Sequence, residues 1–341
     1  MKLNTNEIVF RGHPDKVCDQ IAGALLNEYL KKDKINTRAG IEVVGGKGKI
    51  FITGEVTSDS IVDVTETAKQ VLDRVGYDAT KYEIIENIGE QSPDIAMGVD
   101  IGGAGDQGFA YGYATNETIE MLPLAQVILQ RFAMAYDKLR IAFPQYFFSD
   151  GKAQITGYYD DDFRLVKIKT FLVSYQNCEL YRENTDMLIK SMIKLICEEY
   201  GIEIEQILIN PTGKFYIGGF DGDSGVTNRK IVVDTYQGFA KIGGGGLNGK
   251  DPTKVDFSAH HKAREIAKRL VLDRDLKWCE VQLSYAIGKE LPLAIYAKSD
   301  RGDEKISKSL YKECTPKAMI EDSGLRDLDF EKLAQFGHFV D

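Results

Sequence analysis

Cysteine and proline are scarce in this sequence. Its 341 residues include 5 cysteines and 8 prolines. The cysteines are Cys18, Cys178, Cys197, Cys279 and Cys314. Because none of them form a CxxC pair, the sequence argues against a structural zinc site and favours a reducing compartment, the cytoplasm. The prolines are scattered singly, so no proline-rich linker divides the chain.

Long apolar runs and an excess of positive charge are also missing. No run reaches the roughly 18 apolar residues of a membrane span, and Met1–Phe10 lacks the apolar core of a signal peptide. Lysine plus arginine number 43 against 52 aspartate plus glutamate, which gives a net charge of −9. We therefore expect no membrane partner and no nucleic-acid partner, because nucleic acid requires an electropositive face. A local cluster of cations can still bind a small anion.

The residues that are present suit a globular protein with a sizeable core. Hydrophobic residues make up 43% of the chain and charged residues 28%. Strand-like and helix-like blocks alternate, which predicts an α+β fold with helices covering the sheets. Helices are predicted over Pro14–Lys32, Ser60–Val75, Leu122–Leu139, Thr185–Tyr200 and Ala259–Leu272. The first has Pro14 at its start and one apolar face formed by Val17, Ile21, Ala24 and Leu25, and the second is predicted to stop at Gly76. Strands are predicted over Ile41–Val44, Lys49–Val56, Gln154–Tyr159, Leu165–Val173, Ile231–Val233 and Val281–Ala286.

Three glycine-containing stretches interrupt this pattern and are predicted to be loops: Gly98–Gly108, Gly213–Gly225 and Gly243–Gly249. The first contains a GxGxxG motif, but strand-like Phe109–Tyr113 follows where a dinucleotide-binding fold needs a helix. The third matches a P-loop through Lys250, with Asp251 in place of the Ser or Thr that binds Mg²⁺. Both standard motifs are therefore rejected. For the third stretch, a phosphate-binding loop and a flexible surface turn both remain open.

The segment Gly12–Lys16 opens the first predicted helix. Backbone N–H groups at a helix start attract anions. His13 could therefore donate to a phosphate oxygen, and Asp15 could bind a hard cation. An acidic first turn also occurs by ordinary helix capping. Taken alone, this motif favours capping.

Cations and carboxylates alternate in the last third of the chain. The cations are Arg229, Lys230, Lys250 and Lys254, and the carboxylates are Asp223 and Asp256. Such a mixture suits a metal-bound polyphosphate, whose charge Mg²⁺ and lysine share. A solvated surface with weak ion pairs is the alternative. The adjacent His260 and His261 diverge on a helix, which disfavours a shared metal.

A series of short motifs also occurs in one order along the chain. They are Gly12–Lys16, Gly54–Glu55, Gln91–Ile95, Gly103–Gly108, Tyr113–Thr118, Asp150–Gln154, Asn210–Gly213, Gly225–Lys230, Val233–Tyr236, Gly249–Asp256, Ser284–Gly288 and Gly337–Phe339. In this order they resemble the motifs of the S-adenosylmethionine synthetase (methionine adenosyltransferase) family over nearly the whole chain. Each motif is weak by itself, whereas the ordered set is specific.

The resemblance implies an α+β fold of three structurally similar domains, each a mixed sheet covered by helices. The implied boundaries are 1–96 for the N-terminal domain, 104–217 for the central domain and 218–341 for the C-terminal domain. It also implies a homodimer, which can pair into a homotetramer, with active sites at the subunit interface. ATP and L-methionine are the implied substrates, and Mg²⁺ (two per site) and K⁺ are the implied cofactors.

In the implied reaction, the methionine sulfur attacks C5′ of the ATP ribose. Tripolyphosphate leaves and is then cleaved to pyrophosphate and phosphate. A thioether has no proton to lose, so no general base is needed. Catalysis would depend on positioning and on stabilising the charge of the leaving group.

The resemblance assigns roles residue by residue. The implied catalytic residues, which also bind ATP, are His13, Lys152, Arg229, Lys230 and Lys250. The further implied ATP-binding residues are Asp150, Lys214, Phe215, Asp223 and Gly246. The implied methionine-binding residues are Glu55, Gln91, Asp106, Asp223, Lys254 and Ile287. The implied metal ligands are Asp15 and Asp256 for Mg²⁺ and Glu42 for K⁺.

The chain also departs from the family pattern. Phe10-Arg11 stands where the family has Ser-Glu, which predicts a reversed charge beside the nucleotide. The segment between Gln91 and Asp106, a lid in the family, is about five residues shorter. The other departures are Lys214, Ile242 and Phe257. They leave two alternatives open: a diverged paralogue acting as an ATP triphosphatase or on another thioether, and a non-catalytic regulatory subunit.

Overall fold

Three four-stranded β-sheets, with helices packed against them, organise the protein. The computed structural model describes residues 1–92 and 102–339. The strands are β1 (Lys2–Val9), β2 (Arg38–Gly46), β3 (Lys49–Thr57), β4 (Glu83–Gly89), β5 (Gly108–Thr115), β6 (Phe147–Tyr159), β7 (Leu165–Asn177), β8 (Ile204–Ile209), β9 (Gly225–Val226), β10 (Trp278–Tyr285), β11 (Ala294–Ser299) and β12 (Gly302–Asp303). The helices are α1 (Pro14–Lys32), α2 (Val64–Val75), α3 (Leu124–Ala142), α4 (Arg182–Glu199), α5 (Ile231–Asp234), α6 (Val255–Arg274), α7 (Leu310–Glu313), α8 (Pro316–Asp322) and α9 (Phe330–Phe336). The predicted α+β class is confirmed.

The sheets exchange strands along the chain. Sheet I has the order β4-β3-β2-β9, sheet II the order β1-β6-β7-β8 and sheet III the order β12-β11-β10-β5. The pairs β3/β4 and β7/β8 are parallel, and the other described pairs are antiparallel. Each sheet therefore takes one strand from a neighbouring predicted domain: β9 in sheet I, β1 in sheet II and β5 in sheet III. The predicted boundaries at 96, 104, 217 and 218 stay a prediction.

Helix α1 packs against sheet I and fixes one end of the candidate site. The predicted apolar face is confirmed, since Val17, Ile21 and Leu25 are fully buried against β2, α2 and α9. Burying such a side chain contributes about 1.5–3 kcal/mol. Pro14 occupies the first helical position, where its missing N–H costs nothing, and His13 is the N-cap. The helix start is therefore anchored by both packing and capping.

The other predicted helices begin a few residues away from the expected positions: α2 and α3 begin later, whereas α4 and α6 begin earlier. Helix α2 starts at Val64 rather than Ser60, because the Asp63 side chain accepts a hydrogen bond from the Glu66 N–H and ends the preceding extended segment. Helix α3 starts at Leu124, directly after Pro123. The predicted stop of α2 at Gly76 is confirmed, with φ +96°.

The strand predicted over Ile231–Val233 is wrong. These residues begin the short helix α5, which ends at Asp234. The local β preference of the Ile-Val-Val run is overridden by tertiary contacts. The Asp234 N–H donates to the Lys230 carbonyl, and its buried carboxylate accepts from Lys16 on α1. One turn of helix is what brings the carboxylate to that lysine.

Each sheet buries its own apolar core. Sheet II, for example, packs against α3 through Phe132 and Phe171, whose ring centroids lie 5.4 Å apart. Within residues 1–92 and 102–339, no helix combines the length and the apolar character needed to cross a membrane.

Three of the chain's 4 histidines meet in one cluster, in which His260 and His338 are buried and His261 is half-buried. His260 and His261 lie on α6 and His338 follows α9, with ring centroids of His261 and His338 5.9 Å apart. Burial lowers the pKa of His260 to about 3 and the pKa of His261 to about 4. Burial also lowers the pKa of His338 well below its ordinary value. All three rings are therefore neutral at pH 7.

Acid is expected to destabilise the protein through this cluster. The unfolded chain protonates each histidine near pH 6.5, whereas the folded chain resists protonation until about pH 4 or below. Stability therefore falls as the pH drops through that window, by up to about 1.4 kcal/mol per pH unit for each histidine. Burial raises the pKa of Asp19 to about 7. This group therefore has the opposite effect: it adds to the free energy of unfolding as the pH drops below about 7.

A single substitution isolates the histidine contribution. His261→Leu should flatten the fall in the free energy of unfolding between pH 7 and pH 5, measured by urea titration at each pH. The parent protein supplies the reference, because Asp19 is unchanged in both. An identical pH slope in the variant would contradict the assignment.

Candidate active site

The N-terminus of α1 presents a neutral imidazole. The His13 Nδ1 atom accepts a hydrogen bond of 3.2 Å from the Asp15 N–H. Burial lowers the pKa of His13 to about 4, and the charges of Lys230 and Lys152 act in the same direction. Because Nδ1 accepts, the neutral ring carries its proton on Nε2. His13 is therefore a hydrogen-bond donor at pH 7.

Asp15, in the first turn of α1, holds two cations from the segment after β9. Its carboxylate accepts from Arg229 Nε at 2.8 Å, from Lys230 Nζ at 2.5 Å and from the Val226 N–H at 2.9 Å. Burial acts to raise the pKa of Asp15, but these hydrogen bonds outweigh it and hold the pKa below its ordinary value. Asp15 is thus ionised and sets the positions of Arg229 and Lys230.

Strand β6 adds a carboxyl and a cation to this site. The Asp150 Oδ2 atom accepts from the Gly219 N–H at 2.7 Å. Burial raises the pKa of Asp150 to about 6, against that hydrogen bond and the charge of Lys152. The Lys152 side chain is exposed. We call the assembled set the α1 cluster: His13, Asp15, Asp150, Lys152, Asp223, Arg229 and Lys230.

A second charged cluster lies at the start of α6. The Lys254 Nζ atom lies 2.7 Å from Glu55 Oε1, and the Lys250 Nζ atom lies 2.5 Å from Asp256 Oδ2. Burial acts to raise the pKa of Glu55, but Lys254 and Lys250 hold it below its ordinary value. The Gln91 amide also reaches Glu55, at 3.5 Å. We call this set the α6 cluster: Glu55, Gln91, Lys250, Lys254 and Asp256.

The glycine run before Lys250 packs directly on the α6 cluster. A Cβ at Gly245 would lie 2.0 Å from the Asp256 carboxyl carbon, so a side chain there would displace the carboxylate. Asp106 lines a cavity of about 530 Å³ together with Gly245 and Asp256. This cavity leaves room for a ligand between two carboxylates and a glycine backbone.

The two clusters have separate electrostatic surroundings. The charged groups that act most strongly on His13 are Asp15, Lys230, Lys152 and Asp223, all within the α1 cluster. Those that act most strongly on Glu55 are Lys254 and Lys250, within the α6 cluster. One chain therefore presents two half-sites of complementary composition.

The remaining predicted residues lie around these clusters. Lys214 and Phe215 belong to the loop between β8 and the turn at Gly219, and the Phe215 carbonyl accepts from the Asn177 N–H at 3.0 Å. Ile287 is 51% exposed and forms a β-bridge with Ala104, close to Asp106 in the chain.

Glu42 and Gly246 both lie close to the segment after β9. The exposed Glu42 accepts a hydrogen bond from the Thr227 hydroxyl. A Cβ at Gly246 would lie 2.5 Å from the Asn228 Cγ atom. These two residues therefore border the segment that carries Arg229 and Lys230.

Sequence reasoning missed the buried ionic group behind the α1 cluster. The Lys16 Nζ atom lies 2.6 Å from Asp234 Oδ2 and 3.2 Å from Asp19 Oδ2. Asp19 in turn accepts from the Asn228 N–H. The signal was present in α1, where charged residues alternate with apolar ones on a helix that is buried on nearly every side. Such charges need partners, because an unpaired buried charge is costly.

Comparison with known proteins identifies the family. Models of the S-adenosylmethionine synthetase N-terminal, central and C-terminal domains match residues 1–93, 101–215 and 217–341. The S-adenosylmethionine synthase of Clostridium tetani is 39% identical over an alignment of 370 positions, gaps included, which covers 99% of this chain and 94% of that protein. The chain belongs to the S-adenosylmethionine synthetase family. Two other S-adenosylmethionine synthases show similar identity. That of Fusobacterium nucleatum is 39% identical over 98% of this chain and 92% of that protein. That of Mycoplasmopsis synoviae is 40% identical over 99% of this chain and 92% of that protein.

The residues of this synthetase-family chain fit metal ions that arrive with a polyphosphate. Among the described residues, no three His, Cys, Asp or Glu side chains converge well enough to hold a metal by themselves. Mg²⁺ is often held by one or two carboxylates together with substrate phosphates. Asp15 and Asp256 each offer one carboxylate beside a lysine, Lys230 and Lys250 respectively. An ammonium group of this kind can pair with phosphate oxygens. The backbone of Gly245 leaves the Asp256 carboxylate uncovered by a side chain.

The departures from the synthetase-family pattern have structural partners. The Arg11 Nε atom donates to Gln20 at 2.7 Å, and the guanidinium lies 3.6 Å from Asp137 and 3.7 Å from Glu331. Its charge is therefore balanced within the chain. Phe257 is fully buried and packs on the Phe330 ring, at a centroid distance of 5.2 Å. The shortened lid falls largely on residues 93–101, which lie outside the described part of the chain.

Proposed function

We propose that this chain is an ATP:L-methionine S-adenosyltransferase, which forms S-adenosylmethionine and cleaves tripolyphosphate to pyrophosphate and phosphate. Family membership and relatives named S-adenosylmethionine synthase support the transferase activity. The observation that carries the proposal is the α1 cluster. It holds Arg229 and Lys230 on one buried carboxylate, beside the imidazole of His13, on which the charge of Lys152 also acts. This is the composition that a triphosphate requires.

The α1 cluster would act on the leaving group. Nε2 of neutral His13 can donate to the oxygen that separates from C5′, and no proton needs to be removed from a thioether. Lys152, Arg229 and Lys230 would stabilise the charge that develops on the triphosphate. Asp15 holds two of these cations before the substrate arrives, which reduces reorganisation during the reaction.

The α6 cluster, together with Asp106 of the adjoining cavity, would bind methionine and the far end of the phosphates. Glu55 and Asp106 are carboxylates that suit the methionine ammonium, and Lys254 suits its carboxylate. Lys250 would reach a phosphate oxygen. Asp15 and Asp256 would hold Mg²⁺ and Glu42 would hold K⁺. When bound, such cations neutralise phosphate charge.

Self-association is part of the proposal, because it would bring the two half-sites together. Sheet I exposes the cross-strand pair Val44 and Phe51, and sheet III exposes Phe109 and Tyr296 on one face. Apolar sheet faces of this kind are typical of oligomer interfaces. We propose a homodimer, which can pair again into a homotetramer, in which the α1 cluster of one protomer faces the α6 cluster of its partner. The cytoplasmic location stays a prediction.

A charge on the exposed face of sheet I is expected to separate the protomers. Phe51→Glu should shift the mass measured by light scattering to that of a monomer and lower S-adenosylmethionine formation at least about 10-fold, since a buried charge disfavours association. Phe163→Glu, at an exposed aromatic residue elsewhere, is the matched control and should leave the mass unchanged. A fully active Phe51→Glu monomer would contradict the shared site.

A product assay tests the function itself. The purified chain is incubated with ATP, methionine, Mg²⁺ and K⁺, and S-adenosylmethionine, pyrophosphate and phosphate are quantified by mass spectrometry and ion chromatography. Appearance of all three products supports the proposal. Phosphate or tripolyphosphate without S-adenosylmethionine would replace it with a triphosphatase or with another thioether substrate, and no turnover would favour a regulatory subunit.

A further inference from the structure

A single asparagine ties the two cation-bearing segments together. Asn228 lies between β9 and α5, immediately before Arg229 and Lys230. Its φ of +62° is a left-handed conformation that asparagine tolerates better than most residues. Its N–H donates to Asp19 Oδ1 at 2.8 Å, which attaches the segment to α1. The backbone of Asn228 is therefore held by its own N–H, independently of the contacts of its side chain.

The Asn228 side chain makes three hydrogen bonds to the backbone of the glycine run, Gly243–Gly249. Its Oδ1 atom accepts from the Leu247 N–H and the Asn248 N–H, both at 2.8 Å. Its Nδ2 atom donates to the Asn248 carbonyl at 3.1 Å. Gly246 is packed so closely that a Cβ there would lie 2.5 Å from the Asn228 Cγ atom. Three of the four hydrogen bonds that the side-chain amide can make are thus formed with one short stretch of backbone.

The far end of the glycine run is held as well. Asn248 is only 5% exposed, and its Oδ1 atom lies 3.1 Å from His338 Nε2. The run then leads through Gly249 to Lys250 of the α6 cluster. The Gly249 carbonyl also accepts from the Ile41 N–H of β2 at 2.9 Å, and Lys250 forms a β-bridge with Gly40. Glycine-rich backbone has high conformational freedom, so the contacts of Asn228 and of β2 together restrict where Lys250 lies.

We propose that Asn228 is a positioning residue that holds two segments of its own protomer: the one that carries Arg229 and Lys230 of the α1 cluster, and the one that leads to Lys250 of the α6 cluster. The inference rests on the proposed function, because the ligand whose phosphates these cations meet is ATP. Asn228 touches neither substrate nor reacting atoms and acts through Leu247, Asn248 and the backbone that follows. In the proposed dimer, one such clamp would support both half-sites of a protomer at once.

A double-mutant cycle tests the clamp from both of its sides. Asn228→Gly removes the side chain and keeps the left-handed backbone without strain. Gly246→Ala adds a methyl group that collides with Asn228, at a position where φ is not in the left-handed region. In the double variant, the methyl group enters the space that the amide has left.

The expected result is a KM effect that depends on the partner residue. Asn228→Gly should raise KM for ATP about 10-fold and lower kcat up to about 10²-fold, as a misplacement of about 1 Å does, with KM for methionine within about threefold. Gly246→Ala should be at least as harmful in the parent and nearly harmless in the Asn228→Gly background. Additive effects of the two substitutions would overturn the proposal.

Two controls separate this role from general stability and from the function itself. Asn6, 2% exposed and hydrogen-bonded to the Tyr159 hydroxyl, is a buried asparagine of sheet II. Asn6→Ala should lower Tm and leave KM for ATP unchanged. Tripolyphosphate affinity, measured by calorimetry, needs no turnover, so Asn228→Gly should weaken it about 10-fold even if the parent forms no S-adenosylmethionine. If the parent forms S-adenosylmethionine but Asn228→Gly binds tripolyphosphate as tightly as the parent does, the positioning role of Asn228 is overturned and the proposed function stands.

Discussion

Lys152→Met is expected to reduce S-adenosylmethionine formation by about 10²–10³-fold, the usual cost of removing one donor to a developing oxyanion. Lys152 is exposed on β6 and makes no ion pair with any residue in the described part of the chain. Its charge nevertheless acts on both His13 and Asp150. The ammonium therefore lies inside the α1 cluster with hydrogen bonds to spare for a phosphate, and methionine keeps its length without its charge.

The fold should survive this substitution. Exposed side chains that make no ion pair contribute within about 0.5 kcal/mol to stability, so Tm should stay within about 2 °C of the parent value. Lys169→Met, at another exposed lysine on the neighbouring strand β7, is the matched control and should keep kcat within about twofold. Near-normal product formation by Lys152→Met, or equal loss in both variants, would refute the assignment of Lys152.

Asp15→Asn is expected to damage both turnover and stability. The carboxylate is fully buried and holds Arg229 and Lys230, so the neutral amide would leave two cations without their counter-charge. Breaking a buried pair in this way commonly costs about 3–5 kcal/mol. Because Arg229 sits partly in solvent, we expect the lower end of that range. The rate should fall at least about 10²-fold, since the two groups proposed to bind phosphate lose their positions.

The pH dependence supplies a second signature of Asp15. Hydrogen bonds hold the pKa of Asp15 below its ordinary value despite burial. Its stabilising contribution is therefore complete above about pH 4 and is lost as the pH falls through the lower folded pKa. The difference in unfolding free energy between Asp15→Asn and the parent should be full at pH 7 and should shrink in strong acid, measured by urea titration.

A remote carboxylate serves as the control for Asp15. Glu304 is also hydrogen-bonded to an arginine, Arg274, and accepts from the Ser299 hydroxyl at 2.6 Å at the edge of sheet III. Glu304→Gln should lower Tm while leaving kcat and KM for ATP unchanged. If both variants lost turnover in proportion to their loss of stability, Asp15 would be a structural residue and the phosphate assignment would be wrong.

The sequence anticipated much of the fold because its local signals were strong. Helix α1 followed from its apolar spacing and from Pro14, and the stop of α2 followed from Gly76. The strand predicted at Ile231–Val233 failed because the hydrogen bond from Lys16 to Asp234 comes from a residue 218 positions away. No local pattern encodes such a partner.

The order and identity of the motifs were enough to name the family and to identify nearly every residue of the α1 and α6 clusters. That information is carried by residue types at fixed positions, each of which has its own chemistry. Only the tertiary structure decided how those residues are held. Asn228 attracts no attention in the sequence, yet its backbone conformation and its four hydrogen bonds join α1 to the glycine run. Positioning depends on distances between segments far apart in the chain, and those distances exist only after the sheets and helices have packed.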